Sequence, residues 1–439
     1  MQSSAHLAKQ LFSMTWPMLF GILSIMSFQL VDSAFIGQLG VLPLAAQGFT
    51  APIAMIFIGL QVGLGIATTS LIARALGASE TRFAKQLGGL VVVLGAAGIF
   101  IVSLFVWFFR DAVLAMLSAP ESVSPIIDVY WGWWLFSTWL GAMIYFFYSI
   151  CRSNGNTMLP GIVMVVTSLL NIALDPVFIF VLDMGIVGAA IATIVSFTIG
   201  ILIIVPKCLS SHWLTFEFDD LHITQTLAKI GHIMGPAMVS QLLPPLSSVL
   251  ATKLLAGFGT AAVAAWAVSS RFEFFAIVTV LALTMTLPPM VGRFYGAGKF
   301  EEIKKVIRIA VVYVLAFQTL VALLVWFTAS GIAGLMSSDE QVIEIVTWHL
   351  YWVPISLGPL GICMMMVSAS NALGEPYKAL WMSALRLFAF FLPCLWIGGQ
   401  IGGLWGLFIG ATLANVFAGI TAWWIYQSMF KTACEAKAA

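Results

Sequence analysis

Residues 87–109, LGGLVVVLGAAGIFIVSLFVWFF, contain no charged side chain. A helix over this run is about 35 Å long, enough to cross the hydrocarbon of a bilayer. In that solvent every backbone N–H and C=O must be satisfied within the protein, which leaves only helices or a closed barrel. Apolar runs of helical length recur along the whole chain. Reading them between polar breaks gives twelve: near 12–38, 47–73, 87–109, 126–151, 160–182 and 186–206, then near 230–256, 261–290, 307–329, 344–370, 378–399 and 403–427. Only 8% of the 439 residues are charged and 61% are hydrophobic, whereas a soluble domain carries about 25% charge. The fold class is an all-α polytopic membrane protein. The first run carries Pro17 and Asp32 and lacks a small-residue cleavage site, so it is expected to remain as the first transmembrane helix.

Charge placement orients the chain. With the N-terminus inside, fifteen Lys and Arg fall in inner segments and Arg110 alone falls outside. Positive residues accumulate on the cytoplasmic side, so both termini are expected in the cytoplasm. A net charge of +1 and the lack of a basic arm argue against a nucleic-acid partner. None of the five cysteines forms a CxxC pair, and no HExxH occurs, so no metal or cofactor site is read and no enzyme chemistry is expected.

The two halves are copies. ARALGAS at 73–79 matches GRFYGAG at 292–298, placing Arg74 on Arg293 at an offset of 219. The same offset puts Pro17 on Pro236, Gly40 on Gly259 and Gly155 on Gly374, and it slips by one near the end. Six helices per copy give two parallel six-helix repeats, the plan of transporters that rock two bundles about a central site. The expected organisation is an N-lobe at 1–206, a cytoplasmic linker at 207–229 and a C-lobe at 230–439. The aromatic and apolar side chains of the linker suggest a passive segment lying along the membrane surface.

What is not repeated stands out. Asp32 falls on Ala251, Asp175 on Pro393 or Cys394, and Glu273 on Ala54. A carboxylate within a lipid-spanning helix is costly and by default marks an ion or substrate path. The competing reading is that each acid only pairs with a buried base. In NIALDPVF, Asn171 and Asp175 share one helical face, and Pro176 loosens the ladder beside them. Thr193 lies on the next helix at a comparable depth. Two carboxylates, an amide and a hydroxyl can hold a proton through hydrogen bonds or bind Na⁺ through oxygens. Pro17 lies about 22 Å along the first helix from Asp32 and favours a bend there. Glu273 is a candidate substrate or coupling acid, with Lys253 or Arg386 as alternative ion-pair partners. The 20 Met, 33 Phe and 16 Trp suit an adaptable apolar cavity for cations.

Asp32 after Pro17, Asn171 with Asp175-Pro176, the loops ARALGAS and GRFYGAGK, and CRSNGNTMLP with SNALGEPYKAL together resemble the multidrug and toxic compound extrusion (MATE) family, closest to its DinF-like branch. The resemblance runs from about residue 10 to residue 430 of the sequence. It implies a cation-coupling set of Asp32, Asn171, Asp175 and Thr193 and a helix-bending Pro17. It also implies antiport driven by H⁺, or by Na⁺, that exports amphipathic, often cationic drugs through a bacterial inner membrane, by a monomer with lipid as its other partner. A lipid-linked oligosaccharide flippase of the same superfamily is the alternative; the few bases within the helices speak against it. The expected mechanism protonates Asp32 from outside, shifts the first helix about Pro17 and expels the drug.

Overall fold

The computed structural model describes residues 3–438; Met1, Gln2 and Ala439, at the ends of the two expected lobes, lie outside the described residues. Helices account for almost all of the chain: α1 (Ser4–Gln38), α2 (Val41–Gly77), α3 (Thr81–Phe108), α4 (Arg110–Met116), α5 (Ser124–Ser153), α6 (Met158–Pro176), α7 (Gly185–Ser210), α8 (Ile223–Ala256), α9 (Thr260–Ala276), α10 (Val278–Gly296), α11 (Phe300–Met336), α12 (Glu340–Trp352), α13 (Leu357–Leu373), α14 (Pro376–Ala384) and α15 (Leu392–Ala438). Ten segments are long and apolar enough to cross a membrane, and the bent pair α9–α10 makes eleven. The last of the ten, Pro376–Glu435, is broken where Gly402 and Gly403 leave helical geometry. The protein is an all-α polytopic membrane protein.

The chain forms two compact units, Ser13–Met238 and Met1–Phe12 with Val239–Ala439. In the N-terminal unit α5 is the hub and packs on α2, α3 and α7. In the C-terminal unit α13 plays that part and packs on α10, α11 and α15. The sequence offset of 219 reappears in the backbone. Gly40 and Gly259 have φ of 116° and 104°, Gly155 and Gly374 have 83° and 87°, and Ser79 and Gly298 have 67° and 69°. Gly185 and Gly403, one residue out of register, have 56° and 59°. Left-handed geometry costs any residue with a Cβ, so these turns rest mainly on glycine.

Helix breaks are compensated locally. Where α9 meets α10 the axis bends by 46°, and Gln318 of α11 donates to the carbonyl of Ala276 at 3.1 Å. Between α12 and α13 the chain tightens into a 3₁₀ turn, Val353–Ser356, and Asn415 of α15 donates to the Ser356 hydroxyl at 2.9 Å. After Pro176 the chain widens into a π turn, Val177–Val181, and a second π stretch, Leu385–Phe391, interrupts the path from α14 to α15. Such insertions are common at functional sites.

The segment expected to lie as a passive linker is docked. α7 runs on to Ser210 and α8 starts at Ile223, so only residues 211–222 lie outside the helices. They strap over α3: the Thr215 amide donates to the Lys85 carbonyl at 3.0 Å, and the Gln86 side chain donates to the Glu217 carbonyl at 3.0 Å. Arg82 pairs with Asp220. The start of α8 packs in the same unit, with the Met234 carbonyl and Met238 against Gly63. That packing carries the unit boundary into α8, beyond the strap. The strap can approach because Gly89 has no side chain; a Cβ there would collide with the Thr215 carbonyl. Gly89→Val is therefore expected to lift the strap at a cost of about 1–3 kcal/mol. Limited chymotrypsin digestion at Trp213, Phe216 and Phe218 measures it, and unchanged protection would refute the docking.

Candidate functional site

Four helices of the N-terminal unit build the site. α1 supplies Asp32, α2 supplies Gln47, α6 supplies Asn171 and Asp175, and α7 supplies Thr193. Asp175 is fully buried and Asn171 is 1% exposed. Asp32 accepts a hydrogen bond from Gln47 Nε2 on Oδ2 at 3.1 Å. Its other oxygen, Oδ1, is buried without a hydrogen-bond partner among the described residues. The Asp32 charge reaches both Asp175 on α6 and the buried Tyr130 on α5. Phe35 of α1 packs edge-on against Phe180 in the π turn after α6, with ring centroids 6.0 Å apart.

Asn171 bridges Asp175 and Thr193. Its amide nitrogen donates to Asp175 Oδ2 at 2.9 Å and Oδ1 at 3.2 Å, and its oxygen accepts from the Thr193 hydroxyl at 2.9 Å and from the Thr193 amide at 3.3 Å. That arrangement suits an ionised Asp175, which only accepts. Oxygen and nitrogen of an amide are distinguished by such accounting rather than by shape.

Pro17 sits at a close helix crossing. A Cβ on Gly161 of α6 would come within 2.5 Å of the Pro17 carbonyl oxygen, and one on Gly21 would come within 2.7 Å of Met164 Sδ. Proline cannot donate to the helix ladder, and the bare glycine lets α6 seat against α1 there. At the repeat offset Gly161 becomes Leu380 and Gly21 becomes Ser240, so this seat belongs to one half of the sequence alone.

Of the residues singled out from the sequence, Asn171, Asp175 and Thr193 form one hydrogen-bonded group, and Asp32 stands within electrostatic reach of it. Gln47 was missed. Neutral and in its helix's first turns, it carried no signal beyond a polar residue in an apolar run. Glu273 lies in the C-terminal unit, and its recorded partner is His349 at 2.6 Å, in place of the expected Lys253 or Arg386. No group of three or more His, Cys, Asp or Glu with metal-site geometry occurs among the described residues.

A duplicated, all-helical membrane chain with a buried polar group in one half belongs to the class of transport proteins, and the comparisons agree. The MatE family model matches the chain twice, at residues 17–177 and 236–396, so the chain belongs to the MatE family. The crystal structure of the Vibrio cholerae MATE transporter VcmN in the bent form is 61% identical, covers 99% of each chain and superposes with a TM-score of 0.97. The FAD transporter of Shewanella oneidensis is 30% identical over 97% of this chain and 95% of its own length. The multidrug export protein MepA of Staphylococcus saprophyticus is 25% identical over 92% and 90%. These relatives are transporters, and the chain is a transporter rather than an enzyme.

The Pro17 seat makes a direct prediction. Gly161→Val should push α1 off α6 and cost about 1–3 kcal/mol through overpacking, read as a lower melting temperature in detergent. Gly231→Val, at a glycine with open space around it, is the control and should lose far less. Equal losses would show that Gly161 is no seat.

Proposed function

We propose that the protein is a cation-coupled antiporter of the DinF-like branch, using H⁺ in preference to Na⁺, that exports amphipathic, often cationic drugs by alternating access. Counting the break at Gly402 and Gly403 as a loop gives twelve spans, in lobes at 1–206 and 230–439 joined by 207–229. Both termini are assigned to the cytoplasm of a bacterial inner membrane, and the working unit is a monomer. The charge count supports the orientation, and Arg110, the lone base on the outer side, is itself paired with Asp111 and Asp128. The multidrug export relatives support the substrate class.

The observation that carries the reading is the two acids of the N-terminal unit, one with an oxygen that has no hydrogen-bond partner among the described residues and one held by the Asn171 amide. Two carboxylates in a dry site hold one proton readily. Asp32 is the proton switch. With Asp32 ionised the drug occupies the cavity. A proton from outside neutralises Asp32, the Asn171–Asp175–Thr193 group rearranges its hydrogen bonds, and the first helix shifts about Pro17 to narrow the cavity. A preference of about 1–3 kcal/mol between two helix shapes is enough for such coupling. Na⁺ would use the same oxygens of Asp32, Asn171, Asp175 and Thr193.

The 30% identity to an FAD transporter supports a second reading, in which an aromatic but anionic flavin dinucleotide is carried. Proteoliposomes under an imposed pH or Na⁺ gradient, loaded in separate arms with an ethidium-like dye and with FAD, decide between them. Pumping of the dye by the pH gradient is expected; FAD exchange alone would move the assignment to the second reading. Asp32→Asn should fold and lose pH-driven exchange by about a hundredfold or more, the scale of losing one positioned proton-transfer group. Pro17→Ala should impair exchange while leaving proton binding intact. Normal exchange by Asp32→Asn would remove Asp32 from the mechanism.

A further inference from the structure

The repeat superimposes two sites of different chemistry. At offset 219 Gln47 corresponds to Trp266, Tyr130 to His349 and Asp32 to Ala251. In the N-terminal unit the first two of these positions surround the Asp32 carboxylate: Gln47 donates to it and Tyr130 feels its charge. In the C-terminal unit Ala251, Trp266 and a buried apolar shell including Phe408 and Ala411 form one cluster. His349 stands against that shell, with its ring centroid 5.8 Å from Trp266 and 5.1 Å from Phe408, both edge-on. The acid that the first-helix position lacks comes from the neighbouring helix: Glu273 Oε1 lies 2.6 Å from His349 Nε2.

We propose that Glu273 and His349 form a second proton-binding site, built in the C-terminal unit at the positions that the repeat relates to the Asp32 site. The inference rests on the proton-coupled reading above and extends it. His349 is fully buried, Glu273 is 23% exposed at its side chain, and neither ring nitrogen of His349 makes a hydrogen bond of good geometry among the described residues, although Nε2 lies 2.6 Å from Glu273 Oε1. With a neutral imidazole beside an ionised Glu273, the pair carries one net negative charge in an apolar shell. A proton taken up by the pair makes it neutral overall.

The pair joins two broken helices at their breaks. Glu273 lies one turn before the 46° bend between α9 and α10, and its carbonyl accepts from Ile277 at that bend. His349 lies one turn before the 3₁₀ turn Val353–Ser356. Gaining or losing the proton changes how tightly the two breaks are held together.

Among the described residues no competing ion pair meets His349. On the surrounding helices Lys253 of α8, Arg271 of α9, and Glu340 and Glu344 of α12 are exposed. The charged residues of α11 fall at 301–308 and those of α15 with described side chains are Lys431 and Glu435, far along each helix from the cluster. Arg386 lies in the π stretch five residues before Phe391, and Tyr351 of α12 packs against Trp326 at a tilt.

The four other histidines, His6, His212, His222 and His232, are all exposed. Replacing them with Gln leaves His349 as the single histidine of the full chain, and its ¹⁵N resonances can be followed in nanodiscs over roughly pH 5–9, the range in which an imidazole switches charge. The His349 resonances are expected to report a protonation change over that range, and adding Glu273→Gln is expected to alter it. Asp32→Asn should leave that titration in place. In proteoliposomes His349→Gln should shift the pH profile of dye exchange, where Asp32→Asn abolishes it. An imidazole that never titrates, a midpoint indifferent to Glu273→Gln, or an unchanged exchange profile in His349→Gln would each overturn the proposal. The resonance does not depend on transport, so a wild-type protein that exchanges no dye would defeat the antiport reading alone.

Discussion

Within lipid a helix has nowhere to send an unpaired backbone group, and this constraint governs where the protein can change shape. A long helix without proline such as α11 satisfies itself within its own ladder. Departures occur where another group takes over the freed hydrogen bond or where proline removes the donor. Gln318 covers the carbonyl at the α9–α10 bend, and Asn415 steadies the turn between α12 and α13. Pro17 and Pro176 remove donors on the helices of Asp32 and Asp175, at 15 residues and one residue from the acid respectively. The acids and these prolines fall on the same helices, although α1 runs unbroken through Pro17 and only α6 passes into a π turn.

Duplication supplied a symmetric frame, and the frame shows in the left-handed turns repeated at 219 residues. Function entered through substitutions that break the symmetry. The N-terminal unit kept an acid on its first helix, an amide and an acid on its fifth span, and a glycine seat for Pro17. The C-terminal unit has Ala251, Phe390, Cys394 and Leu380 at these positions, and carries an acid and an imidazole on other helices. A polar residue buried in such a bundle costs stability unless it is paired, so its presence in one half alone calls for a local explanation in that half.

Much of this was legible in the chain. Twelve apolar runs, the repeat and the acids Asp32, Asp175 and Glu273 stand out because charge is rare in such a sequence. The group Asn171–Asp175–Thr193 followed from helical spacing within α6 and an estimate of depth in α7. Gln47 and His349 did not follow, since neither the contact of Gln47 with Asp32 nor that of His349 with Glu273 is set by spacing along one helix. The repeat offset linking Gln47 to Trp266 and Tyr130 to His349 was available in the sequence; it gains meaning only once one member of each pair is seen against a carboxylate. The strap at 211–222 was illegible for a different reason: it is held largely by backbone carbonyls, which every residue has.

The arrangement at Asn171 bears on how a proton can do work in so apolar a place. Asn171 donates to both oxygens of Asp175 while its own oxygen accepts from Thr193, so the neighbours of this buried carboxylate supply its hydrogen bonds. Asp32 differs. Among the described residues one of its oxygens has a single donor, Gln47, and the other has none. On the proposed reading the two acids therefore have separate roles: Asp175 is held by the amide beside it, and Asp32, the less satisfied of the two, gains a partner when α1 shifts about Pro17.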